Sequence, residues 1–364
     1  MKEEKTKTRY VGIDLGKRTY QMAAVGKGGN VTMSNGTTYT AGRQGLYKKL
    51  YVWDIVGLEA CSLAFIMAKE IEAAVGCKVH VLNPGRLSII YKSMKKTDRE
   101  DALKLAHILQ DFAEERLPVV SVPSDKEMKR RKILANSRRA QSYRNRLINL
   151  MHALFVSQGI TSKVRKDLAT GEARKEAIKE LREIERDEAE YLSQCLDLCE
   201  KRIKKLDRMI AEESAGDKEI ERLQSVPGVG PKVAFAFVSH VGAGRFENSG
   251  QLSNYLGLVP RVYMSGDAVR YGQITKRGNS YVRALLVQGA WALVRSRGGG
   301  KLKEQYEYMT KEKSKNKKKA IVAVARQMAV IMYTMMRDKT WYARLKYKPG
   351  KETAAELAQM ATSA

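Results

Sequence analysis

The sequence predicts an α/β domain followed by a long, mostly helical remainder, and three observations carry that prediction. Residues 9 to 110 alternate short β-rich runs with helical patterns in the order β-β-β-α-β-α-β-α. Strand signals stop near residue 124, and long charged helices with apolar residues three, four or seven apart take over until about 215. From 219 to about 300, glycine and proline punctuate shorter helical runs.

Each element follows from its local pattern. "RYVGIDLG", "TYQMAAVG" and "NVTMSNGTTYT" read as three strands separated by Gly-rich turns, an antiparallel meander. A helix around "GRQGLYKKL", a strand in "YVWDIVGLEA", a helix in "LAFIMAKEIEAAVG", a strand in "KVHVLN" and further helices follow. That order fits a mixed sheet with helical cover, as in ribonuclease H-like domains. In the middle segment one basic helix runs through "SDKEMKRRKILANSRRAQSYRNRLINLMHALFVSQG". A second charged helical stretch carries Ile178, Leu181, Ile184, Leu192, Cys195, Cys199, Leu206 and Ile210 as an apolar stripe, interrupted at Glu188. An antiparallel hairpin or a dimerising coiled coil would bury that stripe. The run "AIVAVARQMAVIMYTMM" contains Arg326 and Gln327, so it reads as a buried core helix and not a membrane span. The expected divisions are 1–123, 124–216, 217–345 and a weakly structured tail, 346–364.

Charge narrows the partner. Sixty-seven Lys and Arg against 40 Asp and Glu give a formal charge of +27, which favours a polyanion through counterion release. Cys61, Cys77, Cys195 and Cys199 lack a disulfide framework or a second ligand pair for zinc. They fit a reducing cytoplasm, and the charged start "MKEEKTKTRY" shows no apolar signal region. His80, His107, His152 and His240 have no HExxH or HxH spacing, and "VGKGGN" lacks the GK[ST] ending of a phosphate loop.

Against that basic background, four acids stand out. Asp14 ends the first expected strand, Glu59 follows the strand "DIVGLEA", and Asp98 and Asp101 open the helix "TDREDALKLA". Residues three apart share a helical face, so strand ends and helix could bring four carboxylates together. A hard cation such as Mg²⁺ takes oxygen ligands, and a pair of ions serves phosphoryl transfer by activating one oxygen and stabilising another. Taken singly, the same residues have ordinary readings: Thr97 or Asp98 as a helix cap, Asp101 near the helix's positive end, Glu59 in an ion pair.

Two further stretches bear on phosphate chemistry. "SVPGVGPKVA" places glycines between helices, like the hairpin of a helix-hairpin-helix module, and a tight structural turn explains it equally. Ser265 lies among Arg261, Arg270, Lys276, Arg277 and Arg283, where a serine could attack a phosphodiester; by spacing alone, a turn serine is the simpler reading. Candidate phosphate contacts are Lys95, Lys96, Arg99, Arg130, Arg131, Arg138, Arg139, Lys232, Arg261, Arg270, Lys276 and Arg277.

At these residues the chain resembles the DEDD transposases of the insertion-sequence 110 family, whose RNA-guided members are called bridge recombinases. "VGIDLGKRTYQMAAV" and "TDREDALKLA" match the RuvC-like amino-terminal motifs. "LQSVPGVGPKVAFAFVSHVG", "LSNYLGLVPRVYMSG", "TKRGNSYVRALLVQGAWALVR" and "KKKAIVAVARQMAVIMYTMM" match the carboxy-terminal transposase domain. The resemblance implies that Asp14, Glu59, Asp98 and Asp101 are a tetrad holding Mg²⁺, two ions, with Mn²⁺ as a substitute, and that Ser265 is the nucleophile. It also implies target and donor DNA as substrates, a noncoding bridge RNA as guide, a homo-oligomer (dimer or tetramer), and action in a prokaryotic cytoplasm at the nucleoid. The family often has a Thr-Gly pair near the tetrad glutamate, where this chain has Ala60, Cys61 and Ser62. A hydrolytic junction nuclease or a non-catalytic nucleic-acid scaffold are the alternatives; pure binding gives no reason to gather four acids.

Overall fold

The computed structural model describes residues 8–90, 97–163, 166–242, 245–265, 268–313 and 316–342. Lys95, Lys96 and the expected tail 346–364 lie outside the described residues. The chain divides into two compact units, 1–124 and 125–364.

In the first unit, β1 (Arg9–Leu15) pairs antiparallel with β2 (Thr19–Gly26), which pairs antiparallel with β3 (Val31–Thr37). After α1 (Thr40–Tyr47), β4 (Asp54–Glu59) joins the other edge of β1 in parallel. Helix α2 (Ser62–Val75) then crosses over to β5 (Lys78–Leu82), parallel to β4, as a parallel connection requires. The sheet order is β3-β2-β1-β4-β5. Two more helices, α3 (Pro84–Ile90) and α4 (Asp98–Asp111), complete the unit.

Strand alternation separates the two faces of this sheet. Val11, Ile13, Val56 and Leu58 pack with Ala64, Met67, Ala68 and Ile71 of α2, whose spacing is one helical face. On the opposite face Gly12 and Gly57 lie side by side in register. A β-carbon on Gly12 would stand 2.1 Å from the Ala102 carbonyl oxygen and 2.5 Å from the Ala106 nitrogen, both on α4. One on Gly57 would stand 2.8 Å from Leu109 Cδ1. Glycine at these two positions, with alanine at 102 and 106, lets α4 lie directly on the middle strands.

The second unit begins with an antiparallel hairpin of α5 (Asp125–Ser157) and α7 (Glu183–Ser214), with α6 (Gly171–Ile178) against its far end. Arg174 is fully buried there and donates to Asp197 at 2.5 Å and Glu200 at 3.2 Å. Of the expected stripe, Ile178, Leu181, Leu192, Leu206 and Ile210 are buried and Cys195 and Cys199 half-buried. Ile184 is 80% exposed, which corrects its place in the stripe; Ala189 and Leu196 are buried instead. Five residues separate Ile184 from Ala189, about 140° around an α-helix, so the two cannot share a buried face.

The near end of the hairpin enters a larger core. Ile133 and Leu134 of α5 and Leu206 and Ile210 of α7 pack with α8 (Lys218–Gln224), α9 (Pro231–Val241), α10 (Ser249–Leu256), α11 (Ser280–Arg295), α12 (Gly300–Tyr308) and α13 (Lys317–Asp338). The expected division at 216/217 therefore falls inside one core. Among the described residues α13 is the one helix long and apolar enough to cross a membrane. Here Ala320, Ile321, Val324, Ala325, Met328 and Met332 bury it at the centre of the unit.

One element was not expected. β6 (Pro260–Ser265) and β7 (Ala268–Ile274) form a two-stranded ribbon within the helical unit. Its signal lay in "RVYMSGDAVRYGQI", where β-branched and aromatic residues flank the sequence Ser-Gly-Asp.

Candidate active site and nucleic-acid interface

The acids collect at one end of the first unit's sheet because topology sends them there. Ile13 and Leu58 are the last partnered pair of the parallel strands β1 and β4, and Asp14 and Glu59 are the next residues of each. Adjacent strands lie about 4.8 Å apart, so these two acids are neighbours at the carboxyl ends of the strands. Helix α4 touches β1 at Gly12 through Ala102, one turn after Asp98. Its amino-terminal turn thus lies over the same strand end.

Local chemistry fixes that turn. Thr97 caps α4, its hydroxyl accepting from the Glu100 N–H at 3.3 Å. Asp98, Glu100 and Asp101 all fall in the first turn, where the helix dipole favours negative charge. Asp101 accepts from Lys104 at 2.7 Å, an ion pair one turn apart on the helix.

The acids bear on one another electrostatically. The Asp14 carboxyl is pushed up to about 6, first by burial and then by the negative charges of Asp98, Asp101 and Glu59. Among the described residues no three acid, histidine or cysteine side chains are gathered closely enough to form a ready-made cation site. Carboxylates repel one another, and Asp101 is paired with Lys104 of its own helix. The donor set itself, four carboxylates and no sulfur, suits a hard divalent ion.

At the position where the chain departs from the family pattern, Cys61 takes the role of helix cap. Its sulfur accepts from the Ala64 N–H at 3.4 Å at the start of α2. Glu59 is therefore held by a strand end followed by a capped helix.

The histidines have structural surroundings. His152 contacts the Lys163 carbonyl at 2.9 Å, and His80 is buried with Glu114 at 3.9 Å. His240 is pushed down to about 4 by burial and by Arg131 and Arg245.

The candidate phosphate contacts divide into two groups. Arg99, Arg138, Arg139, Arg261, Arg270, Lys276 and Arg277 are exposed. Arg130 is buried, donating to Asp217 at 2.7 Å and to the Glu213 carbonyl at 2.8 Å, so its charge ties α5 to α7 and α8. Arg131 donates to the Ser239 carbonyl at 2.8 Å. Lys232 pairs with Asp207 at 2.7 Å. In the arrangement described, Arg130 and Arg131 serve the fold, whereas the Lys232 pair is partly exposed. The glycine turn between α8 and α9 is also partly structural: Gly228 has φ +83, and a β-carbon there would stand 2.3 Å from the Gly289 carbonyl of α11. Gly230, by contrast, has open space around it.

Ser265 is the last residue of β6, paired in register with Ala268. Sequence reasoning did not foresee the ribbon that carries it, nor Lys104 as the partner of Asp101. A lysine three residues after an acid on a helix was the available signal for the second.

Residues 220–307 match the family model described as the transposase IS116/IS110/IS902 family, a stretch that runs from α8 into α12 and includes Ser265. Over these residues the chain is similar to the transposases of this family. It is 29% identical over 299 residues to a probable family 20 transposase of Pseudomonas aeruginosa, covering 78% of this chain and 84% of that one. It is 27% identical to the transposase of insertion element IS1328 of Yersinia enterocolitica, over 77% of this chain and 82% of the relative. A pilin gene-inverting protein of Moraxella bovis is 24% identical over 90% of this chain and 96% of its own length.

Proposed function

We propose that this transposase cuts and rejoins DNA through a covalent serine intermediate, with Asp14, Glu59, Asp98 and Asp101 as its cation-binding acids. The observation that carries the proposal is the displaced Asp14 carboxyl, on which three other acids from two further elements bear. The β3-β2-β1-β4-β5 sheet with acids at strand ends supports a RuvC-like reading of the first unit. The helix–turn–helix at 218–241 supports a helix-hairpin-helix-like role in backbone binding, with open Gly230 as the point of approach.

In this mechanism the Ser265 hydroxyl oxygen bonds to phosphorus while the bond to the 3′-oxygen breaks. The serine proton passes through solvent to the departing 3′-oxygen, leaving a 5′-phosphoserine and a free 3′-hydroxyl. Attack by a 3′-hydroxyl of another strand reverses the step and restores the serine, so the phosphodiester energy is conserved. Mg²⁺ held by the four acids would supply positive charge to the phosphate and leaving oxygens. The exposed arginines neutralise flanking phosphates. The acids and the serine belong to different units, and the reading draws them from different protomers of a dimer or tetramer around target and donor DNA. A noncoding bridge RNA would supply sequence recognition, leaving the basic surface to hold backbones.

A pilin gene-inverting relative favours rejoining over hydrolysis, because inversion requires every cut strand to be resealed. Labelled DNA incubated with the protein, Mg²⁺ and RNA from the element's flank, then run on a denaturing gel, tests the proposal. A protein-linked 5′ end that is absent with Ser265→Ala is expected. Free cut ends with no adduct would establish the hydrolytic alternative instead.

A further inference from the structure

We infer that the β6–β7 ribbon is a stacking platform on which Tyr263 receives an unpaired DNA base beside the phosphate to be cut. The inference rests on the proposed role of Ser265, which ends β6 two residues beyond Tyr263, roughly 7 Å along a strand.

Register places the residues. Tyr263 pairs with Arg270, and Val262 with Tyr271. A β-carbon on Gly272 would lie 2.9 Å from Tyr263 Cε2 and 3.6 Å from Arg261 Cβ. Arg261, Tyr263, Arg270 and Gly272 therefore share one face of the ribbon. The Cε2 edge of the Tyr263 ring approaches the bare backbone of Gly272, and Tyr263 remains 57% exposed. The missing side chain at Gly272 leaves room for that edge, and the ring stays open to solvent.

That arrangement suits a nucleotide better than a protein. An exposed aromatic ring with one arginine two residues before it and another opposite it in register offers a π-face to a base and positive charge to the flanking phosphates. A base within a duplex is stacked on its neighbours and cannot reach such a ring, so the ligand is a base turned out of the stack. DNA is favoured over RNA because the adjoining Ser265 is the residue that would be joined to a DNA 5′-phosphate.

Full-length Ser265→Ala protein, which cannot react, would be irradiated with short bulged DNA duplexes whose single unpaired base is 5-iodouracil. Peptide mass spectrometry should find the adduct on Tyr263, within tryptic peptide 262–270. Tyr263→Phe should keep the adduct and bind within about twofold of wild type. Tyr263→Ala should lose it and weaken binding about tenfold with an unchanged salt slope, whereas Arg270→Ala should lower the slope by about one. Adducts confined to other peptides, wild-type binding by Tyr263→Ala, or crosslinking to iodouracil RNA but not DNA would each overturn the inference. Crosslinking at Tyr263 in a protein whose Ser265→Ala variant still joins DNA would defeat the serine mechanism and leave the stacking intact.

Discussion

Asp14 in the first unit and His240 in the second are both displaced by burial, in opposite chemical directions and among opposite neighbours. Asp14 sits among acids and is pushed up to about 6; His240 sits between Arg131 and Arg245 and is pushed down to about 4. Each group is driven toward its neutral form. The difference lies in what would relieve them. His240 contacts the side chain of Asn279, the cap of α11, and its neutral ring belongs to a finished core. Asp14 faces three further negative charges at a strand end, a cost that a fold tolerates where a cation is to be held.

The largest test of that contrast is catalytic. Asp98→Asn combined with Asp101→Asn should reduce DNA joining by about 100-fold or more while DNA affinity measured by gel shift stays near wild type. The matching change in the basic unit, Arg130→Ala, should instead destabilise the fold. Removing it leaves Asp217 and the end of α7 without their buried donor, costing about 3 kcal/mol in urea unfolding.

Acid should act on the two units in opposite senses. The folded-state value of His240 lies below its ordinary 6.5, so the stability tied to its neutral form is present above that value and lost as pH falls through 4. Unfolding of the second unit should lose about 3 kcal/mol over that window, and His240→Gln should flatten the profile. Asp14 lies above its ordinary 3.8, so its contribution is full below that value and lost as pH rises through 6. At pH 7.5 without added metal, Asp14→Asn should therefore stabilise the first unit by about 2 kcal/mol, read as a rise in its thermal midpoint. The smallest effect concerns exposed charge: Arg139→Ala should lower the salt slope of DNA binding by about one and leave stability within about 0.5 kcal/mol.

The sequence disclosed these two regions unequally. Strand alternation, Gly-rich turns and the capped start of α4 made the first unit's element order readable, and with it the placement of Asp14, Glu59, Asp98 and Asp101 at ends of elements. What the pattern did not reveal was the pairing of Gly12 with Gly57, because glycines in strands look like breaks until the helix that lies on them is known. In the second unit charge misled. Arg130 and Arg131 read as a basic surface, but long side chains can turn inward to helix ends and carbonyls, and one-dimensional spacing does not record that choice. Ile184 failed for a related reason, since a mixed three, four and seven spacing admits two adjacent stripes on α7. The β6–β7 ribbon escaped notice because it lies within a segment whose glycine and proline punctuation read as breaks between helices.

The central claim is that the strand-end acids of the first unit hold a divalent cation. Mn²⁺ binding to the full-length protein at pH 7.5, followed by electron paramagnetic resonance, measures this directly. Saturable binding that is lost in Asp14→Asn and weakened by competing Mg²⁺ is the predicted result. Equal Mn²⁺ binding by wild type and Asp14→Asn, or none by either, would contradict it.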